Sequence, residues 1–252
     1  MFIPSNDFEW NMLGIYNYNK PGQLSCYFEY LKNNLDNEGD LFEAGVFRGW
    51  TLLSVALFLK EKGSEKIVYG YDTFTGFPSV YNKNDSLENF DQLYKSNKIE
   101  TSHYQQIKLS VRIRELINES NNSDPSIIST SNEFSDTSKI LLEKKISFLG
   151  LDNVVLIEGP FSKTMVQSNN NSPGKLLAGI VDCDLYESYK TSLKFFWPKL
   201  IKSGALYIDE YFSLKYPGAR IAVNEFLETH DGMLKKHQND SFEFERWMLF
   251  KS

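Results

Sequence analysis

The sequence predicts an α/β fold: a doubly wound, mostly parallel sheet closed by an antiparallel C-terminal strand. Three observations lead there. Short apolar runs, rich in β-branched and aromatic residues, recur along the chain and each ends in a carboxylate, as at Asp72, Glu158, Asp182 and Asp209. Runs of that length and character suit strands buried on both faces of a parallel sheet. The segments between them carry apolar residues near a 3.6-residue period, and strands alternating with helices give a doubly wound sheet. Finally, the tail Phe242 to Phe250 alternates apolar and polar residues, as a closing antiparallel strand does.

Taken in order, residues 21–36 open with Pro-Gly and place Leu24, Tyr27, Phe28, Leu31 and Leu35 on one stripe, which predicts a helix. Asp40 to Val46 is the first strand, and Gly45 and Gly49 bracket a turn into a helix over Trp50 to Glu61. Ile67 to Tyr71 is the second strand and Val154 to Ile157 the third. Leu176 to Val181 and Ala205 to Ile208 are the fourth and fifth, joined by a helix over Tyr186 to Lys202. A helix over Ala219 to Thr229 precedes the tail. The reading is one domain over residues 1–252, with residues 1–38 as a helical cap.

The interval 73–152 is too long for a minimal strand–helix–strand crossover and holds an insertion. Tyr104 to Ile117 suits a helix, while Asn118 to Ser138 is Asn/Ser-rich and reads as a solvated excursion. The sharper reading of the same stretch is a lid over the site.

Composition narrows the functional classes. Hydrophobic residues make up 41% and aromatic residues 15%, enough for a sizeable core. A formal net charge of −6, with no basic block, argues against binding a nucleic-acid backbone. Cys26 and Cys183 are too few for a zinc framework or a redox motif, which suits a cytoplasmic setting. No basic start with an apolar core marks a signal peptide. No apolar run approaches the roughly 20 residues that span a bilayer.

The chemistry gathers at the strand ends, where ligands bind in open α/β sheets. Glu43-Ala-Gly45-Val-Phe-Arg-Gly49 offers two glycines at a strand-to-helix turn, where backbone amides can approach a ligand. It lacks the G-x-G-x-x-G of dinucleotide folds. A carboxylate ending the next strand, Asp72, is placed to hold ribose hydroxyls, or else caps a turn. Asp182, Asp184, Asp209 and Glu210 converge on one crevice, which suggests a hard divalent cation or proton transfer. Glu187 is either a further base or a helix N-terminal acid favoured by the dipole. His103 lies in the insertion, placed to enter the site as a base from a lid, whereas His230 and His237 read as exposed. Cys183 reads as a small core residue. Phe74, Phe77 and Tyr81 either pack or stack on a ligand ring, and Arg220 is placed to anchor the loop behind the acids.

The stretches "FEAGVFRGWTLLS", "YGYDTFTGFP", "VVLIEGPFSKTM", "DCDLYESYKTSLKFFWPKLIKSGALYIDEY" and "PGARIAVNEF" closely resemble the macrocin O-methyltransferase family, whose members methylate sugar hydroxyls. The resemblance covers most of residues 40–226 except 80–150. It implies a Rossmann-like class I methyltransferase fold using S-adenosylmethionine and Mg²⁺. It implies cofactor contacts at Glu43, Gly45, Gly49, Thr51 and Asp72, and metal ligands at Asp182, Asp209 and Glu210. Asp182 is also the implied catalytic base. Asp184 is the alternative first ligand, or otherwise a contact to the cofactor ammonium. The family usually reads Asp-Asp-Tyr where this chain has Asp209-Glu210-Tyr211. The expected function is O-methylation of a sugar or glycosylated acceptor. Methylation of a catechol or other vicinal diol, and a non-catalytic cofactor-binding module, are the alternatives. The expected partners are a small-molecule or glycan acceptor and a second copy of the chain in a homo-oligomer, with neither nucleic acid nor membrane.

Overall fold

A computed structural model describes residues 1–78, 81–118, 133–166, 172–238 and 244–252. Seven strands form one sheet in the order β3-β2-β1-β4-β5-β7-β6. They are β1 (Asp40–Ala44), β2 (Val68–Asp72), β3 (Val154–Glu158), β4 (Leu176–Val181), β5 (Leu200–Ile208), β6 (Gly232–Gln238) and β7 (Glu245–Lys251). β1 to β5 pair in parallel, and β7 runs antiparallel to both β5 and β6. The direction of winding reverses between β1 and β4, so the carboxyl ends of these two central strands face one crevice.

Each strand stops where its sequence requires. β1 ends at Ala44 because Gly45 takes a φ of 90°, a left-handed conformation that glycine adopts without a Cβ penalty. A Cβ there would also lie 1.7 Å from the Asp182 carbonyl oxygen, so the backbones of the two central strands meet through this residue. Two apolar layers flank the sheet. One packs Tyr16, Tyr18, Tyr27 and Phe28 against the helix Trp50–Glu61. The other packs Phe42 on Phe196, with ring centroids 3.5 Å apart, beneath the helices Tyr186–Phe196 and Pro217–Leu227.

The elements depart from the sequence reading at definable points. The helix expected over Tyr186 to Lys202 ends at Phe196, followed by a 3₁₀ turn over Trp197–Lys199 and a strand that starts at Leu200. Pro198 has no N–H to continue the α-helical ladder. β6 escapes the pattern because its Lys235, Lys236 and His237 break the apolar run. Charged residues of this kind suit its place at the edge of the sheet. Asp7–Leu13 is a helix within the expected cap, and the helices over Asn89–Lys95 and Lys139–Leu149 are additions. The expected start of the tail at Phe242, and residues 119–132 of the Asn/Ser-rich stretch, lie outside the described residues.

The insertion builds its own small core from Phe90, Leu93, Ile99 and Ile107. It docks on the carboxyl end of the sheet through Asp85, whose Oδ1 accepts the Tyr186 amide at 2.7 Å. The expected helix over Tyr104 to Ile117 is there, as Thr101–Asn118. Among the described residues, no helix is long and apolar enough to cross a membrane.

Candidate active site

A cavity of about 820 Å³ opens over the β1/β4 crevice. Its walls bring together all nine residues singled out from the sequence: Glu43, Gly45, Thr51, Asp72, Asp182, Asp184, Asp209 and Glu210 line it directly, and Gly49 caps the helix that supplies Trp50 and Thr51. Residues from four strand ends and two helix starts thus meet in one space. That follows from strand order, because β2, β1, β4 and β5 are successive neighbours.

On one side of the cavity, the turn after β1 is held open by Asp72. Its Oδ2 accepts the amides of Val46 at 2.7 Å and Phe47 at 2.8 Å, and its Oδ1 accepts the amide of Phe74 at 2.7 Å. A carboxylate has about four acceptor positions, so Oδ1 retains one for a ligand hydroxyl. Asp72 therefore ties the glycine turn to the 72–77 loop as well as facing the cavity. Gly49 gives the helix Trp50–Glu61 no side-chain cap, and Trp50 and Thr51 at its start line the same space, where helix N-terminal amides suit an anionic group. Glu43 is 3% exposed and its Oε2 has no partner. Burial, then the charges of Asp72 and Asp209, push its carboxyl well above the usual range, against the opposing pull of the Leu52 amide and the Thr51 hydroxyl.

Opposite lie the four acids of the second half of the sheet. Burial is the largest cause raising all four carboxyls. Asp209 raises the Asp182 and Asp184 carboxyls further, and Asp184 does the same to Glu210. Asp184 is pushed up to about 7. Arg246, 3.7 Å from Asp209, offsets part of the charge there. All four are hard oxygen donors that repel one another, so the donor chemistry fits a hard divalent cation. Among the described residues, however, no three His, Cys, Asp or Glu side chains stand as a ready-made metal site.

The other residues weighed from the sequence fall into place. His103 is buried outside the cavity. It stacks on Phe212 with centroids 3.9 Å apart, and its ring nitrogens meet the Ser213 carbonyl at 2.8 Å and Arg220 Nη1 at 3.3 Å. It is a joint between insertion and sheet, not a base carried over the site. Arg220 lies over the Tyr211 ring at 4.2 Å and so braces the residue after Glu210, as an anchor behind the acids would. Glu187 lines the cavity and accepts a hydrogen bond from Asn82 at 2.8 Å. Cys183 is buried beside Ser192 yet also reaches the wall. His230 is exposed and His237 half-buried. Phe77 lines the cavity, Phe74 is buried, and Tyr81 donates to Glu133 at 2.8 Å.

Among the wall residues that the sequence reading does not place in the site are Trp50, half exposed at the rim; Glu158, opposite Asp72 in the β2/β3 register; Phe161; and Phe134. Phe134 comes from the unreadable interval and sits between Phe47 and Phe77, with ring centroids at 5.2 and 4.9 Å. Its segment is fastened to the site by the Phe77 amide on the Glu133 carbonyl at 2.9 Å, by Arg48 on Asp136, and by Thr137 on the Phe47 carbonyl. Glu158 ends a strand beside Asp72, and the sequence marks it as a strand-end acid without placing it in the site.

Comparisons with known proteins agree with this architecture. Residues 129–236 match the family model for macrocin-O-methyltransferase (TylF), a span that contains Asp182, Asp184, Asp209 and Glu210. The O-methyltransferase NovP superposes with a TM-score of 0.60 at 18% identity, covering 91% of this chain and 79% of that one. CalS11, a calicheamicin methyltransferase, gives 0.55 at 21% identity, covering 89% and 77%. An O-methyltransferase from Bacillus cereus, solved in complex with SAH, gives 0.51 at 10% identity, covering 99% and 93%. No curated protein matches the sequence. The fold is that of the class I methyltransferases, and residues 129–236 of the chain are similar to the macrocin-O-methyltransferase (TylF) family.

Proposed function

We propose that this chain transfers the methyl group of S-adenosylmethionine to a hydroxyl of a sugar or glycosylated acceptor, with Mg²⁺ assistance. The observation that carries the reading is the shared cavity. The glycine turn braced by Asp72 and the acids Asp182, Asp184, Asp209 and Glu210 face one another across a single space large enough for a nucleoside and an acceptor. The family match and the sugar-modifying neighbour support it: CalS11 is described as a TDP-rhamnose 3'-O-methyltransferase.

Bound S-adenosylmethionine supplies a methyl group activated on a sulfonium, and Mg²⁺ supplies a Lewis acid that makes an acceptor hydroxyl more acidic. The protein's part is positioning and deprotonation. The amides that open the helix Trp50–Glu61 hold the cofactor carboxylate, with Thr51 beside them. The free acceptor position on Asp72 Oδ1 takes a ribose hydroxyl. Glu43, buried behind Gly45, sets the floor of that half. Asp182, Asp209 and Glu210 would hold the metal. Asp182 takes the acceptor proton, and Asp184, with its carboxyl near neutral range, is the second candidate for that step.

Titration of S-adenosylhomocysteine into the protein by calorimetry, with Mg²⁺ and then with EDTA, tests the reading. Micromolar binding, followed by methylation of a glycoside that falls at least tenfold in EDTA, is expected. Absence of binding by the folded protein removes the reading.

A further inference from the structure

Tyr189 is wholly buried, one turn into the helix Tyr186–Phe196, and its hydroxyl joins the two strands that carry the acids. It accepts the Glu210 amide at 3.0 Å and donates to the Val181 carbonyl at 2.8 Å. A phenol has one proton, so with the amide as donor the hydroxyl hydrogen must go to the carbonyl. β4 and β5 are last paired at Val181 and Ile208, and beyond that point Glu210 lies in the 3₁₀ turn Asp209–Tyr211. A sheet rung is a single amide-to-carbonyl bond of about 2.9 Å, whereas here two bonds in series through one oxygen span the gap. The strands part there and stay tied.

That tie bears directly on the acids. Asp182 follows Val181, and the peptide between them is fixed on both sides, its amide by the Ala44 carbonyl at 2.9 Å and its carbonyl by Tyr189. The Asp209–Glu210 peptide is held by the same hydroxyl. Asp209 and Glu210 are among the charges that act on the buried Asp182 carboxyl, so the ionised groups repel and an untied pair would relax apart. Burial raises the Tyr189 phenol well above its ordinary value, which keeps the bridging proton in place. Asp182 and Glu210 line the cavity, whereas Tyr189 acts through the backbone beside them.

Building on the Mg²⁺-assisted transfer proposed above, we infer that Tyr189 is a positioning residue, whose hydroxyl presets the separation of Asp182 and Glu210 before a divalent cation arrives. Mg²⁺ demands near-ideal placement of its oxygen ligands. A cation that finds two carboxylates already set need not draw the strands together against their repulsion. The tie should therefore be read as metal affinity. The cofactor half of the cavity, built on the ends of β1 and β2, does not depend on it.

The test compares the full chain with Tyr189→Phe, which keeps the ring in the core and removes one oxygen. Tyr30→Phe is the control, since its hydroxyl donates to the Ser203 carbonyl at 2.8 Å, elsewhere on β5. Free Mn²⁺ is measured by electron paramagnetic resonance in saturating S-adenosylhomocysteine, and the affinity for S-adenosylhomocysteine is measured separately in EDTA. Tyr189→Phe is expected to weaken Mn²⁺ binding by at least about tenfold and to leave cofactor affinity unchanged. Methyl transfer by the variant should recover as Mg²⁺ is raised, and Tyr30→Phe should alter neither affinity. An equal Mn²⁺ affinity, or a loss shared in proportion by the cofactor, overturns the inference. Hydrogen exchange on the parent needs no variant: the Glu210 amide should be protected before metal is added and gain little from Mg²⁺. Protection that appears only with the metal overturns the inference as well. A parent that binds no Mn²⁺ strikes the metal reading proposed above, and this inference with it.

Discussion

Arg220 donates through Nη1 to Nδ1 of His103 at 3.3 Å, in a joint where the imidazole also meets the Ser213 carbonyl at 2.8 Å. A guanidinium cannot accept a hydrogen bond, so Nδ1 must be unprotonated and Nε2 must carry the proton it gives to Ser213. The imidazole is locked in one neutral tautomer between the insertion and the loop behind the acids. Burial, together with Arg220, lowers its pKa below the ordinary histidine value.

A sign follows from that. A histidine with a lowered folded pKa leaves the unfolded chain binding more protons, so stability falls as pH drops from about 6.5 through the folded value. His103→Gln should lose about 1–3 kcal/mol at pH 8 by leaving buried partners unpaired, and should show less further loss on acidification than the parent. Thermal melts of both proteins between pH 5 and 8 would check it. Parallel curves would mean that His103 does not titrate in this window.

Asp85 carries the opposite sign. Burial pushes its carboxyl up to about 6, although the Tyr186 amide on its Oδ1 pulls it down. The folded state holds the proton longer, so stability declines as pH rises from about 4 through 6. Asp85→Asn keeps the acceptor oxygen and removes the charge. The variant should match the parent near pH 4 and melt several degrees higher at pH 8; a lower melting temperature at pH 8 would contradict the assignment.

Asp72→Asn replaces an acceptor-only group by one with an amide nitrogen, which cannot take the amides of Val46, Phe47 and Phe74 together. Hydrogen bonds to a charged acceptor are worth about 1.5–3 kcal/mol each. Calorimetry should show S-adenosylhomocysteine binding weakened by at least about tenfold, with the far-ultraviolet dichroism of the parent. Unchanged affinity would show that the turn holds its shape without this strut.

Gly45→Ala meets two obstacles at once, a φ of 90° and a backbone oxygen 1.7 Å from the new Cβ. The left-handed conformation alone costs about 1–2 kcal/mol, and the clash must separate β1 from β4. Denaturant titration should show a loss of at least about 2 kcal/mol, together with loss of cofactor binding. A variant that kept both would mean the central strands can part cheaply.

The parallel strands were legible because buried strands announce themselves by composition, and their terminal acids marked the crevice before any geometry was known. Asp182 and Asp209 could be brought together on paper because neighbouring parallel strands share one end. Pro198 was in plain view, and its consequence, a helix stopped at Phe196, was missed because Leu200 happens to continue the helical stripe. β6 was hidden by the lysines that suit an edge. Phe134 could not be foreseen. Its place between Phe47 and Phe77 depends on how a long insertion returns, and that is set by distant contacts instead of local pattern. His103 was misjudged for the same reason, since its partners stand 110 and 117 residues further on.

The pairing of β1 with β4 also bears on how the chain is made. Asp40 lies beside Leu176, and Asp85 finds the Tyr186 amide 101 residues later. During synthesis from the N-terminus, the first central strand and the whole insertion must wait for the second half of the protein to emerge. Until then β1 can pair only with β2 and presents one open edge, the kind of surface that invites mispairing. Ordering is therefore expected late and all together, once residues near 220 have left the ribosome, so that shortened chains ending before β4 should be soluble only with help.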